Sequence, residues 1–459
     1  MARHSDPRLD PGVAALVLKT GDYRLHHGGL GAIRSLGRAG VPVYGVHEDP
    51  FTPAALSAYL HGGFVWRTGD QYDYQHQLLD GIGRVAERIG GPCVVVPTDD
   101  HTAVFLNERA DRLPEKLLVP DCRPGLALDL VNKRRCAQIA EQADFPMPRT
   151  RVQRCPAPEG DLADVELPVV VKRAVRALLP DGSRTYSTLI ARTRAELRAA
   201  TTEPGPEYEV LLQELVPGRP GDDWLFHAYC DTDSVSLVSF TGRKLRSYPA
   251  YAGETACARS EDNPELRERA ERFLKAVGFS GVVSMDVRYD RRDRSYRVLD
   301  VNPRAGAGFR MFENIHGVDV VRALHLDLSG RPVPRGPQLD GRTYVVENYD
   351  LRTRRTYAKE QGLTRRAVLR GLRTADERAW LTADDLVPAA ALALRGLLPP
   401  RWLERGPTTL HYFSGRASRP SWYPWPWRQH GDPPARRLPR TVPRTAARRS
   451  GPGDSRRRG

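Results

Sequence analysis

The sequence lacks the patterns that are typical of secreted, disulfide-bonded or membrane-spanning proteins. Its six cysteines include no CxxC pair and no spacing typical of metal ligands, which favours reduced thiols in a cytosolic protein. No apolar segment of a signal peptide follows the N-terminus. The longest apolar stretch, residues 386–398, has about 13 residues and contains Arg395, so it is too short and too charged to span a bilayer. We therefore expect a cytoplasmic protein.

The excess positive charge is concentrated at the C-terminal end of the chain. The 459 residues carry a formal charge of +14 at pH 7. Nine arginines and one acid give residues 434–459 a net charge of +8, which leaves +6 for all other residues. A hydrophobic content of 40% allows this remainder to fold around a large core. The overall charge is therefore weak evidence for a nucleic-acid partner.

Residues 1–125 are expected to form an N-terminal α/β domain with a parallel sheet. Strand-like and helix-like segments alternate here, which is typical of such sheets. Strands are predicted at residues 14–18, 41–46 and 93–96, and a helix is predicted at residues 32–39, after a glycine-rich turn at 27–31. The glycines do not match GxGxxG, so we interpret them as a tight strand-to-helix turn rather than a nucleotide motif.

Residues 126–335 are expected to form an α+β unit of antiparallel strands, with a smaller lobe at about 150–215. The unit begins with a predicted helix at 126–143. Its strands are predicted at residues 169–171, 188–191, 210–214, 226–230, 234–240, 282–289 and 296–301. A helical extension should follow at 336–405, and then a disordered tail, rich in Pro, Trp and Arg, at 406–459.

A predicted hairpin between residues 282 and 302 brings two aspartates together. If its turn is centred on residue 293, Asp286 lies opposite Asp300, and Asn302 is on the same face. Opposed carboxylates destabilise a sheet unless something neutralises them, and Mg²⁺, which prefers oxygen ligands, would do so. From spacing alone, a solvent-facing edge with two unrelated aspartates, or a register slipped by one, is an equal alternative.

Two lysines lie at the ends of elements of the same unit. Lys172 ends the apolar run that starts at Pro168, and Lys133 lies early in the predicted helix. Either lysine alone is more often a solvated surface charge. Residues 180–185 form a polar turn with donors that can reach phosphates, and residues 210–218 combine an apolar strand with polar residues and a turn.

Together these segments resemble an ATP-grasp ligase. The resemblance is carried by the lysine at the end of a strand, by Gln-Glu-Leu-Val-Pro-Gly at 213–218 and by Asp-Val-Asn-Pro-Arg at 300–304. It covers roughly residues 13–330 and is strongest with the predicted carboxylate–amine ligases of that superfamily. Residues 240–249 are also similar to a segment that is typical of these relatives.

The resemblance implies a role for each matching residue. The residues implied to contact ATP are Lys133 and Lys172 at the phosphates, Ser183 in a flexible phosphate loop, Gln213, Glu214 and Val216 at the adenine, and Asp223 or Asp222 at the ribose. The implied metal ligands are Asp286, Asp300 and Asn302. Arg243 and Arg304 are implied to stabilise the transferring phosphoryl group or the substrate carboxylate.

The implied activity joins a small carboxylate to an amine at the expense of ATP. With Mg²⁺ bound, or Mn²⁺ in its place, the carboxylate attacks the γ-phosphoryl group and forms an acyl-phosphate. The amine then displaces phosphate, which gives a C–N bond, ADP and phosphate. The resemblance also implies that a homodimer is common. The chain departs from the family by having aspartate rather than glutamate at positions 286 and 300, which shortens each ligand arm by about one methylene.

Other functions are compatible with the sequence. The tail arginines could bind nucleic acid, although the body contains no recognition helix or RNP-like strand. The tail tryptophans at 422, 425 and 427 could contact a membrane or a protein partner. A regulatory ATP binder without ligase activity would share the fold. Substrates are expected at the loops 23–31, 98–101, 248–255 and 305–309, whose composition does not identify the carboxylate or the amine.

Overall fold

The chain is described here by a computed structural model at residues 8–20, 25–66, 74–158, 160–173, 188–202, 207–251, 253–395 and 410–415. All of these residues lie in one compact unit, Met1–Tyr423. Within these ranges, no helix combines the length and the apolar character that are needed to cross a membrane.

The secondary structure alternates between helices and strands over most of the chain. The helices are α1 His27–Arg38, α2 Tyr74–Ile89, α3 Asp100–Glu108, α4 Leu126–Val131, α5 Lys133–Gln142, α6 Arg194–Thr201, α7 Pro264–Val277, α8 Val320–Leu328, α9 Glu347–Gln361, α10 Arg365–Thr374 and α11 Val387–Arg395. The strands are β1 Ala14–Leu18, β2 Val43–His47, β3 Leu60–Val65, β4 Cys93–Pro97, β5 Leu117–Leu118, β6 Thr150–Cys155, β7 Val169–Arg173, β8 Thr188–Ala191, β9 Tyr208–Glu214, β10 Asp223–Cys230, β11 Ser236–Tyr248, β12 Glu254–Ser260, β13 Gly281–Asp290, β14 Ser295–Asn302, β15 Thr343–Val345, β16 Glu377–Arg378 and β17 His411–Ser414.

The N-terminal sheet has the strand order β17-β3-β2-β1-β4-β5. Strands β1 to β5 pair in parallel. Both faces of β1 are covered, because Ala15 and Val17 pack into one hydrophobic cluster and Leu16 and Leu18 into another. This double burial requires a continuous apolar run, and the expected parallel α/β sheet is confirmed.

The glycine-rich segment at 27–31 is helical, so its interpretation as a turn is wrong. Helix α1 already begins at residue 27, and the His26 side chain accepts a hydrogen bond from the backbone of its first turn. The glycines serve close packing instead. A Cβ on Gly28 would lie 3.0 Å from the Ala307 Cα atom, and one on Gly31 would lie 3.1 Å from the Arg310 Cγ atom. Helix α1 therefore lies directly against the segment that follows β14.

The central sheet has the order β14-β13-β10-β11-β12-β15-β16 and is antiparallel except for the β15–β16 pair, as expected for an α+β unit. The single helix predicted at 126–143 is instead α4 and α5. Asn132, with φ −71° and ψ 107°, interrupts the helix, and its side chain caps α5 by accepting from the backbone N–H groups of Arg134 and Arg135. The 336–405 region is not purely helical, because β15 and β16 extend this sheet.

A four-stranded antiparallel sheet, in the order β6-β9-β7-β8, lies between residues 150 and 214. It has a hydrophobic cluster of its own, which includes Val171, Leu197 and Leu212. Strand β6 is missing from the strands that the sequence predicts. Only two of its six residues are buried, so it has no continuous apolar run.

The prediction that residues 406–459 are disordered is wrong for β17, which pairs antiparallel with β3. Two glycines of β3 make room for its aromatic side chains. A Cβ on Gly63 would lie 2.2 Å from the Phe413 Cζ atom, and one on Gly62 would lie 2.9 Å from the Tyr412 hydroxyl. The other residues of this range lie outside the part of the chain that the structure describes, except Leu410 and Gly415.

Two truncations should separate the effect of β17 from that of the tail. Removal of residues 416–459 should leave the melting temperature unchanged. Removal of residues 406–459 also deletes β17 and exposes one edge of β3, and it should lower the free energy of unfolding by about 2 kcal/mol, the value of one buried aromatic side chain. Thermal unfolding followed by circular dichroism measures both. Equal melting temperatures for the two proteins would contradict a structural role for β17.

Candidate active site

A cleft of about 820 Å³ is lined by the four-stranded sheet on one side and the central sheet on the other. Apolar side chains such as Val170 and Leu211 line the first side, whereas charged groups dominate the second. This volume suits a nucleotide-sized ligand. The predicted site residues that line the cleft are Lys133, Lys172, Gln213, Glu214, Val216, Asp223, Asp286, Asp300, Asn302 and Arg304. Ser183 lies outside the described residues.

The β13–β14 hairpin places the two aspartates opposite each other. Asp286 pairs with Asp300, and Asn302 pairs with Ser284, so the predicted pairing is confirmed. Close to the turn, however, the partners are shifted by one, and Val287 pairs with Val298. A β-bulge between the two registers, at Leu299, restores the predicted opposition.

Lys172 connects the two sheets at this bulge. Its Nζ atom donates a hydrogen bond of 3.1 Å to the carbonyl oxygen of Leu299. Burial, followed by repulsion from Lys133, lowers the pKa of Lys172 to about 7. A lysine with this pKa gains charge readily when an anion binds beside it.

Each aspartate of the opposed pair is bound by one lysine. Lys244 of β11 donates to Asp286, and Lys133 at the start of α5 donates to Asp300. Burial raises the pKa of Asp286, but Lys244 outweighs this effect and holds that pKa below its usual value. Burial lowers the pKa of Lys133. The pairing with lysines explains how the sheet tolerates two facing carboxylates.

Arg304, two residues beyond β14, joins the central sheet to the N-terminal sheet. Its Nε donates to Asp100 at 3.0 Å, and its Nη2 donates to the Asn302 side-chain oxygen at 3.3 Å. Asp100 begins α3, directly after β4. The guanidinium group is therefore fixed at the junction of the two sheets, next to the aspartate pair.

The residues predicted at the adenine and the ribose lie at or just beyond the end of β9 and at the start of β10. Gln213 is buried, and its amide donates to the Thr150 hydroxyl at 3.1 Å. Burial raises the pKa of Glu214, but hydrogen bonds from Arg292 and Arg149 outweigh it and lower that pKa. Both side chains are thus held in fixed positions at the end of β9.

Asp222 and Asp223, the two residues implied at the ribose, differ in their burial. Asp222 is 2% exposed and bound by Arg291, whereas Asp223 lines the cleft. Arg288 donates to the Asp223 carboxylate at 2.6 Å and to the Val216 carbonyl oxygen at 3.1 Å. Arg288 is not among the residues expected from the sequence, since an arginine within a strand carries no distinct signal.

Arg243 does not line the cleft, in contrast to the expectation from the resemblance. Its guanidinium lies 4.4 Å from the centre of the Trp224 ring and donates to Glu261 and to the carbonyl oxygen of Gly221. The next residue, Lys244, points to the opposite side of the sheet, as alternate strand residues do, and lines the cleft. The basic residue of β11 at this site is therefore Lys244.

A second pocket of about 200 Å³ adjoins the cleft and shares Asp100, Glu254 and Arg304 with it. All four loops that were expected to face the substrates contribute to its lining. Buried His27 and His227 line it too, and in the described part of the chain neither Nδ1 atom has a hydrogen-bond partner. Burial lowers the pKa of His227 to about 3, so this ring is neutral at pH 7.

The residues that could hold a metal ion are few. Among the described residues, no cluster of three or more His, Cys, Asp or Glu side chains could do so. Asp286, Asp300 and the Asn302 amide oxygen offer oxygen ligands only. This set fits Mg²⁺, which takes one or two carboxylates from the protein and the rest of its octahedron from phosphate and water.

Comparisons with known proteins agree with the fold. No protein-family model matches the chain. A curated D-aspartate ligase of Enterococcus faecium (strain Aus0004) is 24% identical over 240 residues, which is 50% of this chain and 57% of the relative. The chain thus spans little more than half the length of that relative.

Solved structures with a similar fold include N5-carboxyaminoimidazole synthetase from Staphylococcus aureus. It is 10% identical, with a TM-score of 0.52 over 78% of this chain and 89% of that chain. Its complex with ADP gives 11% identity and the same TM-score and coverage. The fold of this chain is the ATP-grasp fold, and the resemblance to ATP-grasp carboxylate–amine ligases is confirmed.

The pKa of Lys172 can be tested directly by competitive labelling with acetic anhydride and mass spectrometry. Its reactivity should reach half of its maximum near pH 7, whereas a free model lysine labelled in the same experiment should do so near its reference pKa of about 10.4. The Lys133→Met substitution should raise the midpoint of Lys172, because it removes a repelling charge. A wild-type midpoint equal to that of the model lysine would contradict the effect of burial and of Lys133 on Lys172.

Proposed function

We propose that this protein is an ATP-dependent ligase that joins a small carboxylate to an amine. The observation that carries the proposal is one cleft in which three lysines surround an opposed pair of carboxylates, with a substrate-sized pocket beside it. The sequence similarity to a D-aspartate ligase supports the same class of reaction.

In this proposal, ATP lies across the cleft with its phosphates toward the aspartate pair. Lys133 and Lys172 bind phosphate oxygens, together with Lys244, which takes the place first expected for Arg243. Ser183 stays a predicted phosphate contact.

The adenine lies by Gln213, Glu214 and the Val216 backbone, and the ribose lies by Asp223. The apolar residues of the four-stranded sheet favour a flat aromatic ring at this end.

Asp286, Asp300 and Asn302 would hold Mg²⁺, and Mn²⁺ would fit the same oxygen ligands. The cation would neutralise the charge that builds up on the phosphates during transfer. In its presence, Lys133 and Lys244 are released from the two carboxylates to bind phosphate oxygens. Because both amines end long, flexible side chains, this exchange requires no movement of the sheet.

The adjoining pocket is proposed to hold the carboxylate and then the amine. Arg304 is at its junction with the cleft, where it can orient a carboxylate toward the γ-phosphoryl group. The neutral ring of His227 offers an unpaired nitrogen that can hydrogen-bond to a substrate amine or hydroxyl without adding charge. A volume of about 200 Å³ favours a small substrate such as an amino acid.

The division into residues 1–125, 126–335, 336–405 and 406–459, with a smaller lobe at about 150–215, belongs to the proposal as a division along the sequence only, because β15 and β16 join the central sheet and β17 joins the N-terminal sheet. A homodimer, a cytoplasmic location and a contact of the tail with a membrane or protein also stay predictions. A specific nucleic-acid partner is not part of the proposal.

Replacement of Asp300 by Asn should reduce ATP-dependent turnover at least about 100-fold, since it removes a charged ligand where phosphoryl charge must be stabilised. The matched control is Arg243→Gln, which changes a charged residue of the same sheet outside the cleft and should leave kcat within about twofold. Phosphate release assays measure both. Turnover in Asp300→Asn at the level of the control would contradict the proposed metal site.

Ligation can be distinguished from regulatory ATP binding by a screen of amino acids and small carboxylates. Phosphate release should require a carboxylate, and it should rise further when a suitable amine is added. Arg304→Gln should raise the KM for the carboxylate more than the KM for ATP, because its guanidinium is at the pocket rather than over the nucleotide. ATP binding with no substrate combination that stimulates phosphate release would favour the regulatory alternative.

A further inference from the structure

Helices α9 and α10 form a hairpin. On the outward face of each helix, the charged side chains are basic. Three residues, Gly362 to Thr364, join the two helices. Side chains at i, i+3 or i+4, and i+7 share one face of a helix. The outward cations are Arg352, Arg355 and Lys359 on α9 and Arg366, Arg370 and Arg373 on α10, and all six are exposed. The opposite faces are anchored by buried Tyr357 and Val368.

In the part of the chain that the structure describes, these six cations have no carboxylate partner, although the Arg352 guanidinium lies 5.7 Å from the centre of the Tyr248 ring. Among the described residues, none of them forms an ion pair, whereas exposed arginines elsewhere do, such as Arg151 with Asp164. The three acids of the hairpin already have partners: Glu347 accepts from the backbone N–H groups of Trp380 and Leu381, Asp350 binds Arg246, and Glu360 is hydrogen-bonded to Tyr251. A concentration of uncompensated charge costs stability through repulsion, which an anionic partner would relieve.

Apolar side chains lie beside the basic face. Leu351 of α9 is 46% exposed, and Leu369 of α10 is 45% exposed. Each leucine borders the cations of its own helix, because Leu351 lies one turn before Arg355 and Leu369 lies one turn before Arg373. Cations beside exposed leucines are the pattern of helices that lie in the interface of a bilayer.

We propose that the α9–α10 hairpin is a docking surface for an anionic phospholipid bilayer. Six cations match the negative surface of such a membrane, and the leucines can enter the boundary between headgroups and acyl chains. RNA fits less well, since the aromatic residues of these helices, Tyr349 and Tyr357, are engaged in packing against Tyr248 and Tyr251 and cannot stack on bases. This surface is separate from the tail and does not depend on the proposed ligase activity.

The hairpin is also directly connected to the rim of the large cleft. The Tyr357 hydroxyl accepts a hydrogen bond of 3.0 Å from the backbone of Ser247, and Gln361 donates to the Tyr251 hydroxyl at 3.2 Å. Ser247 and Tyr251 both line the cleft. Docking on this hairpin therefore places one rim of the cleft close to the lipid headgroups.

The test is co-sedimentation of the full chain with vesicles of phosphatidylcholine alone or with 30% phosphatidylglycerol, a composition set at roughly that of an anionic leaflet. The wild type should bind only the anionic vesicles, and salt should weaken the binding. The triple variant Arg366→Gln, Arg370→Gln, Arg373→Gln should partition about 100-fold more weakly, at about fivefold for each charge removed near the surface.

The matched control removes three exposed arginines from other surfaces: Arg84→Gln, Arg112→Gln, Arg272→Gln. It carries the same net charge as the first variant and should bind the anionic vesicles nearly as well as the wild type. Equal binding by the two triple variants would overturn the proposal, because net charge or the tail would then explain the affinity. Failure of the wild type to bind, or its stronger binding to an oligouridine RNA than to the vesicles, would overturn it too. Melting temperatures equal to the wild type verify that both variants are folded.

Discussion

The opposition of Asp286 and Asp300 is the constraint on which the rest of the site depends. Two carboxylates that face each other on adjacent strands repel unless cations lie between or beside them. Here Lys244 comes from β11 of the same sheet, with β10 between β11 and β13, and Lys133 comes from a helix that Asn132 starts and caps. The interruption between α4 and α5 and the position of β11 thus both help to neutralise the repulsion between the two carboxylates.

A single irregularity in β14 makes this arrangement possible. Without the bulge at Leu299, the register near the turn would continue and place Leu299 rather than Asp300 opposite Asp286. The bulge also turns a backbone carbonyl toward the other sheet, where Lys172 binds it. The same extra residue therefore aligns the carboxylates and positions the lysine of the four-stranded sheet over them.

Much of the fold could be predicted from the sequence because buried strands need apolar runs, and the strands on either side of the site, β7, β9, β13 and β14, have them. The Asp286–Asp300 pairing was also predictable, although the assumed symmetry about residue 293 was right only because the bulge shifts the register by one.

Strand β17 and the helical start of α1 depend on contacts with residues distant in sequence, such as Gly63 and Ala307. Local composition cannot reveal such contacts. Arg243 and Lys244 differ by one position, and only the actual register shows which of them faces the cleft.

The balance of charge in the cleft bears on how a metal ion would enter it. Lys133, Lys172 and Lys244 can bring three positive charges to two short carboxylates, and burial, followed by repulsion from Lys133, lowers the pKa of Lys172. Repulsion from these lysines would also oppose the entry of a free divalent cation. A cation that is already bound to nucleotide phosphates would not be opposed in this way, because the phosphates supply more negative charge than the metal neutralises. Aspartates with short arms suffice for that purpose, since the phosphates provide the remaining ligands. In the proposed function, the lysines and the aspartates would therefore form one site for a metal–nucleotide complex rather than separate sites for its two parts.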